Sequence, residues 1–192
     1  QDSDGDSIPD ACDVDFELDG VNLISFYALP GDQSLGNIFE GIEDLSPGIL
    51  GEGMSAIYNG ESGQWLGSLT EIDRTDGYWV VIDGVGDLAV EGTPTDPGTE
   101  YNLQPQANLI SYPFVGSALV EETIPGDAQG SIDAILGEGE AALNGDYGWI
   151  GSLENLSGTK GYWFITNEEV SFSYNPPVEG AARMASPIRS VP

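Results

Sequence analysis

The chain has 192 residues, of which 40% are hydrophobic and 9% aromatic, enough to pack cores and too many for a disordered chain. Thirty-three Asp and Glu stand against four Lys and Arg, a formal charge of -29 that disfavours nucleic acid and anionic membrane surfaces as partners. There is no histidine, a single cysteine (Cys12) and no apolar run near the ~20 residues of a membrane span, which excludes imidazole-dependent triads, most transition-metal sites, an internal disulfide and helical membrane insertion.

Residues 2–13 read Asp-Ser-Asp-Gly-Asp-Ser-Ile-Pro-Asp-Ala-Cys-Asp. Carboxylates fall at loop positions 1, 3, 5, 9 and 12, namely Asp2, Asp4, Asp6, Asp10 and Asp13, and Ile8 at position 7 offers its backbone carbonyl. Calcium takes about six to eight oxygens, and this alternation turns successive carboxylates toward one centre. Without a cation the crowded acids would repel one another. The segment resembles a thrombospondin type 3 calcium repeat, with its pattern Asp-x-Asp-Gly-Asp-x-x-x-Asp-x-Cys-Asp. That resemblance implies one Ca2+ surrounded by Asp2, Asp4, Asp6, the Ile8 carbonyl, Asp10 (directly or through water) and Asp13. Two positions depart from the family. Ser7 stands where glycine is usual, and a left-handed backbone there costs about 1 kcal/mol. The usual partner of the repeat cysteine is missing, which leaves Cys12 buried and free or paired with another chain.

Next in the chain, Val21 to Leu29 is rich in β-branched and aromatic residues and reads as a strand. A short helix follows, capped by Asp32 or Ser34, with Leu35, Ile38, Phe39 and Ile42 on one face. Three strands are then expected at Met54–Tyr58, Gln64–Ile72 and Tyr78–Ile82, and a last one at Leu88–Val90. Asn59-Gly60 is a hairpin signal, because both residues tolerate positive φ.

The unit then recurs. Asn22-Leu23-Ile24-Ser25 returns as Asn108-Leu109-Ile110-Ser111, and Leu50-Gly51-Glu52-Gly53 as Leu136-Gly137-Glu138-Gly139. Trp65 with Gly67-Ser68-Leu69 returns as Trp149 with Gly151-Ser152-Leu153, and Gly77-Tyr78-Trp79 as Gly161-Tyr162-Trp163. The offset changes from 86 to 84 residues, as a two-residue deletion near Asn59-Gly60 would produce. Four matched blocks in one order indicate duplication. In the second copy Pro125 and two glycines fall within Ser117–Ile135, where the helix would be, and argue against it. The expected fold class is mainly β: two tandem homologous small β-rich domains preceded by a calcium-binding loop. The expected boundaries are 1–17 for the loop segment, 18–91 for the first repeat, 92–102 for a Pro/Gly/Thr-rich linker, 103–175 for the second repeat and 176–192 for a tail. Residues 21–174 resemble repeats of large secreted multi-domain proteins of marine bacteria, which implies an extracellular setting and no particular activity.

Trp79 and Trp163, inside Gly-Tyr-Trp strands, read as core. Trp65 and Trp149 follow turns and are the candidates for a platform that stacks on sugar rings. The Gly-Glu-Gly pair reads as a tight bend where backbone and neighbour approach closely. In the tail, Arg183, Met184, Ile188, Arg189 and Val191 mix cations with apolar groups and suit docking on the acidic body of another copy. No nucleophile elbow, phosphate loop or distinctive acid pair points to an enzyme. The function expected is an extracellular, calcium-stabilised structural or adhesive protein, able to assemble with copies of itself into a surface filament. The alternative is a carbohydrate-binding module that takes surface glycans.

Overall fold

A computed structural model describes residues 10–177, and the chain is mainly β. A 3-10 turn, Asp10–Cys12, leads into β1 (Asp13–Ser25), where buried Val14, Phe16 and Leu18 alternate with exposed Asp15, Glu17 and Asp19. After β2 (Ala28–Leu29), α1 (Leu35–Ile38) continues into a 3-10 segment at Glu40–Leu45. Leu35, Ile38, Phe39 and Ile42 are all buried, as their spacing requires. Asp32 Oδ1 accepts the Ser34 amide just ahead of this helix. β3 (Gly48–Leu50), β4 (Ser55–Asn59), β5 (Gln64–Gly67), β6 (Gly77–Glu91) and β7 (Thr93–Pro94) complete the first repeat. The separate strand expected at Leu88–Val90 is the far end of β6, which pairs with β1 along its whole length apart from a register shift between Asp19 and Val21.

The second repeat contains β8 (Tyr101–Leu103), β9 (Gln106–Ile110), β10 (Ser117–Leu119), α2 (Val120–Thr123), α3 (Gly126–Gln129) and β11 (Ile132–Leu136). It continues through β12 (Ala141–Gly145), β13 (Gly148–Gly151), β14 (Asn155–Ser157), β15 (Tyr162–Thr166) and β16 (Val170–Phe172). Pro125 splits the helical segment. It has no amide to donate, and Ile124 before it is held extended at φ -87, ψ 124.

The five-stranded sheets have the same order, β1-β6-β3-β4-β5 and β9-β15-β11-β12-β13. Each covers its own apolar cluster, one drawn from residues between Val14 and Val90, the other from residues between Tyr101 and Tyr174. The repeats differ at their outer ends. The single long antiparallel β1/β6 pair of the first corresponds to two pairs in the second, β9/β15 and β8/β16.

The change of offset lies in one turn. The β4–β5 loop spans Gly60–Gly63 and closes with the Gly63 amide donating to the Asn59 carbonyl. In the second repeat Gly145 pairs directly with Gly148 around Asp146-Tyr147, a loop shorter by two residues. The hairpins are where Asn-Gly pointed, but positive φ falls on Gly63 and Gly148, not on those dipeptides. The asparagine side chains do other work: Asn59 Oδ1 accepts the Glu61 and Ser62 amides, while Asn144 Nδ2 donates to the Gln129 and Ile132 carbonyls.

Residues 13–17 belong to β1 and pair with Asp87–Glu91, so the end of the acidic loop is built into the first sheet. The stretch 92–102 carries β7, paired with β2, and the start of β8.

Candidate functional site

Asp2, Asp4, Asp6 and Ile8 lie outside the described residues, as do Arg183, Met184, Ile188, Arg189 and Val191. Asp10 opens the 3-10 turn. Asp13 is buried at the head of β1, and its carbonyl accepts the Tyr27 hydroxyl. The neighbouring Cys12 is a half-buried free thiol whose carbonyl accepts the Gly92 amide. The last two positions of the acidic loop are thus tied to the first repeat at both backbone carbonyls. Among the described residues, no group of three or more His, Cys, Asp or Glu is arranged to hold a metal ion.

The tryptophans divide differently from expectation. Trp65 packs on the core cluster, its ring 5.8 Å from Phe39 and 5.5 Å from Tyr58, and Trp149 packs on the second cluster. Both indole Nε1 atoms are enclosed without a hydrogen-bond partner. Trp149 also lines a cleft of about 330 Å³ with Leu119, Val120, Glu121, Ile150 and Glu154. Trp79 and Trp163, expected in the core, are half-buried. Strand alternation explains this, because Tyr78 and Val80, and Tyr162 and Phe164, take the core face and leave the tryptophans on the other.

The repeated motifs converge where the two repeats meet. β1 and β9 are each the terminal strand of their sheet, and each offers the other repeat its outer edge. The Leu23 amide donates to Glu138 Oε2 at 2.9 Å, and the Leu109 amide donates to Glu52 Oε2, also at 2.9 Å. The Ser25 amide donates to the Thr159 carbonyl and the Ser111 amide to the Thr75 carbonyl. The two serine hydroxyls donate across as well, to the Lys160 and Arg74 carbonyls, both at 2.7 Å. Single β-bridges join Ile24 to Lys160 and Ile110 to Asp76. The molecule therefore has a pseudo-two-fold clasp that covers two strand edges otherwise open to mispairing.

Each part of the repeated sequence has a task in this clasp. In each Gly-Glu-Gly the first glycine (Gly51, Gly137) admits a tyrosine ring, since a Cβ there would stand 3.2 or 3.3 Å from Tyr78 or Tyr162. The second (Gly53, Gly139) takes φ +72 or +74. The glutamate between them reaches the opposite repeat. Gly77 and Gly161 lie at the pseudo-axis, where a Cβ on either would meet the Cα of the other at 3.2 Å. The Asn-Leu-Ile-Ser block supplies the strand edge and the serine hydroxyl. Sequence reasoning found the tight bend and missed the role of its glutamate, although an acid held between glycines in both copies was the available signal.

Two equivalent clefts flank the pseudo-axis. One, of about 300 Å³, is lined by residues that include Glu52, Thr75, Asp76, Glu100, Asn108 and Leu109. Its mate, of about 230 Å³, is lined by Glu138, Thr159, Lys160, Asp15, Asn22 and Leu23 among others. At one matched position the first has an acid, Asp76, and the second a base, Lys160. Burial pushes the Asp76 carboxyl up to about 6, helped by the charges of Asp73 and Glu52 and opposed by hydrogen bonds from Thr75 and Tyr78. Lys160 pairs with Glu140 at 3.4 Å on the exposed rim.

No protein family, curated protein or solved structure matches this chain. No helix among the described residues is long and apolar enough to cross a membrane.

Proposed function

We propose that the chain is an extracellular, non-catalytic structural or adhesive protein that calcium stabilises through its amino-terminal acidic loop. The observation that carries this reading is the spacing of Asp2, Asp4, Asp6, Asp10 and Asp13, which resembles a thrombospondin type 3 calcium loop. Its support from the fold is mechanical. The loop runs without a spacer into β1, and the Cys12 and Asp13 carbonyls are bound by Gly92 and Tyr27. An ion drawn to the loop would fasten the start of the chain to the first repeat and offset part of a charge of -29. Stability then rises with calcium by mass action, as for any ligand that binds only the folded state.

Calorimetry on the full chain tests this. The expected result is calcium uptake, with a melting temperature that rises with calcium and falls with chelator, and loss of both responses in Asp4→Ala. Equal melting with and without calcium would sink the proposal. The glycan-binding reading has one feature in its favour, the cleft beside Trp149. Glycan-array binding that is lost in Trp149→Ala, with the melting temperature of the variant as a check on its fold, would favour it.

A further inference from the structure

The bonds between the repeats come in exchanged pairs. Leu23 of the first repeat reaches Glu138 of the second, and Leu109, the counterpart of Leu23, reaches Glu52, the counterpart of Glu138. The Ser25 and Ser111 amides repeat the pattern on the Thr159 and Thr75 carbonyls, as do the bridges of Ile24 to Lys160 and Ile110 to Asp76. Each repeat therefore carries both halves of the clasp, a strand edge that donates and a glutamate and a threonine that accept. That is the isologous pattern of a two-fold dimer, in which a surface meets a copy of itself.

Neither apolar cluster spans the junction, so the repeats can part without opening a core. Leu23 and Leu109, each 2% exposed, belong to neither cluster and lie against Gly161 and Gly77 of the opposite repeat. The covalent link between the repeats is short. The Thr95 amide is still tied to the first repeat at the Tyr27 carbonyl, and β8 begins at Tyr101. Asp96 to Glu100 belongs to no strand. Its turn is held by the Gly98 amide on Asp96 Oδ1, the Thr99 amide on the Asp96 carbonyl and the Ser173 hydroxyl on the Gly98 carbonyl.

We infer that the clasp is a joint between copies of this chain as well as within one: Asp96–Glu100 straightens, and the first repeat of one copy takes the second repeat of another. The exchanged joint has the atoms and bonds of the internal one, so no contact is lost in the trade. Two things oppose it. A repeat held by a short linker has an effective concentration on the order of millimolar, and two chains that each carry -29 repel. Exchange is therefore seen at high protein concentration and high salt. Two copies that trade repeats close into a dimer, and copies that each pass a repeat to the next make an open row. The bonds of the clasp use no residue of the acidic loop, so the joint goes beyond the calcium reading and stands without it.

The test mixes heavy-isotope and ordinary full chains, both with a protease site in place of Asp96–Glu100, at about 1 mM and in about 0.5 M NaCl to shorten the reach of repulsion. The dimer is isolated, cut and weighed by native mass spectrometry. A dimer joined by traded repeats falls to the mass of one chain when cut, and mixed dimers give pairs with one heavy and one ordinary half. Monomers cut first and mixed afterwards set the background. Deleting Pro97 and Gly98 from the otherwise unchanged chain hinders the hinge from folding back. In sedimentation velocity that variant should reach half-dimerisation at a concentration at least tenfold below wild type. A dimer that keeps its double mass after cutting overturns the inference, because another surface then joins the copies. So does a deletion variant that associates no better than wild type, or a set of chains that stay monomeric throughout. Calcium calorimetry on the same samples separates the two proposals. Uptake without exchange sinks this one alone, and exchange without uptake sinks the calcium reading alone.

Discussion

The two clefts beside the pseudo-axis have the same walls and opposite charge at one position. Both have a glutamate bound to a strand amide of the other repeat, a threonine carbonyl that accepts a serine amide, and an asparagine and a leucine from the first strand. Asp76 stands in one and Lys160 in the other. The backbone bonds of the clasp need particular atoms at particular distances, so the groups that make them are duplicated faithfully. The residue at the bridge contributes its backbone to the clasp, and its side chain is left to vary. Lys160 faces the acids of its cleft and pairs with Glu140. Asp76 adds a third carboxylate to Asp73 and Glu52, and its raised affinity for a proton comes first from its burial and then from that crowding.

The comparison breaks most readily at the axis. A Cβ on Gly161 would stand 2.7 Å from the Ile24 carbonyl oxygen, whereas on Gly77 the nearest atom is a flexible Leu109 methyl at 3.0 Å. Gly161→Ala is expected to cost about 2–3 kcal/mol and Gly77→Ala about 1 kcal/mol less, because backbone cannot yield as a methyl does. Urea denaturation of both variants reads the difference, and equal small losses would mean that the repeats are loosely joined.

A smaller effect separates the two glutamates. Glu138→Ala leaves the Leu23 amide unpaired and is expected to cost about 1 kcal/mol, since the bond is only partly buried. Glu52→Ala loses the matching bond but also relieves its repulsion with Asp76, so its cost should be lower by about 0.5 kcal/mol. A double-mutant cycle between Glu52 and Asp76 should show a repulsive coupling, and a coupling of zero would mean that the two charges do not sense each other.

A further effect of similar size depends on pH. The folded Asp76 carboxyl, at about 6, holds its proton more tightly than the ordinary value of 3.8 that applies on unfolding. Stability therefore carries a penalty above pH 6 that fades as the pH falls toward 4. Asp76→Asn removes the charge and should stabilise the protein by about 1 kcal/mol at pH 7.5, after allowance for solvent screening, and by nothing measurable at pH 4. Denaturation at the two pH values checks this. A gain of the same size at both would assign it to packing. Lys160→Met, on the exposed rim, should change stability by less than about 0.5 kcal/mol at either pH.

The sequence alone determined the β class, the duplication and the location of most strands. Alternation and turn residues act locally, and the two copies check each other. It also determined the packed face of the first helix, from the spacing of Leu35, Ile38, Phe39 and Ile42, and the turn that absorbs the change of offset. Only the tertiary structure decided which tryptophans face the cores, because Tyr78 and Tyr162 claim the inner positions and alternation then turns Trp79 and Trp163 away. Only it revealed that Glu52 and Glu138 bind across the junction, since the two partners of each bond are 57 or 115 residues apart and no local pattern encodes such a meeting. Chain-local physics shapes each strand and turn, whereas the fate of a strand edge depends on what the rest of the chain lays beside it.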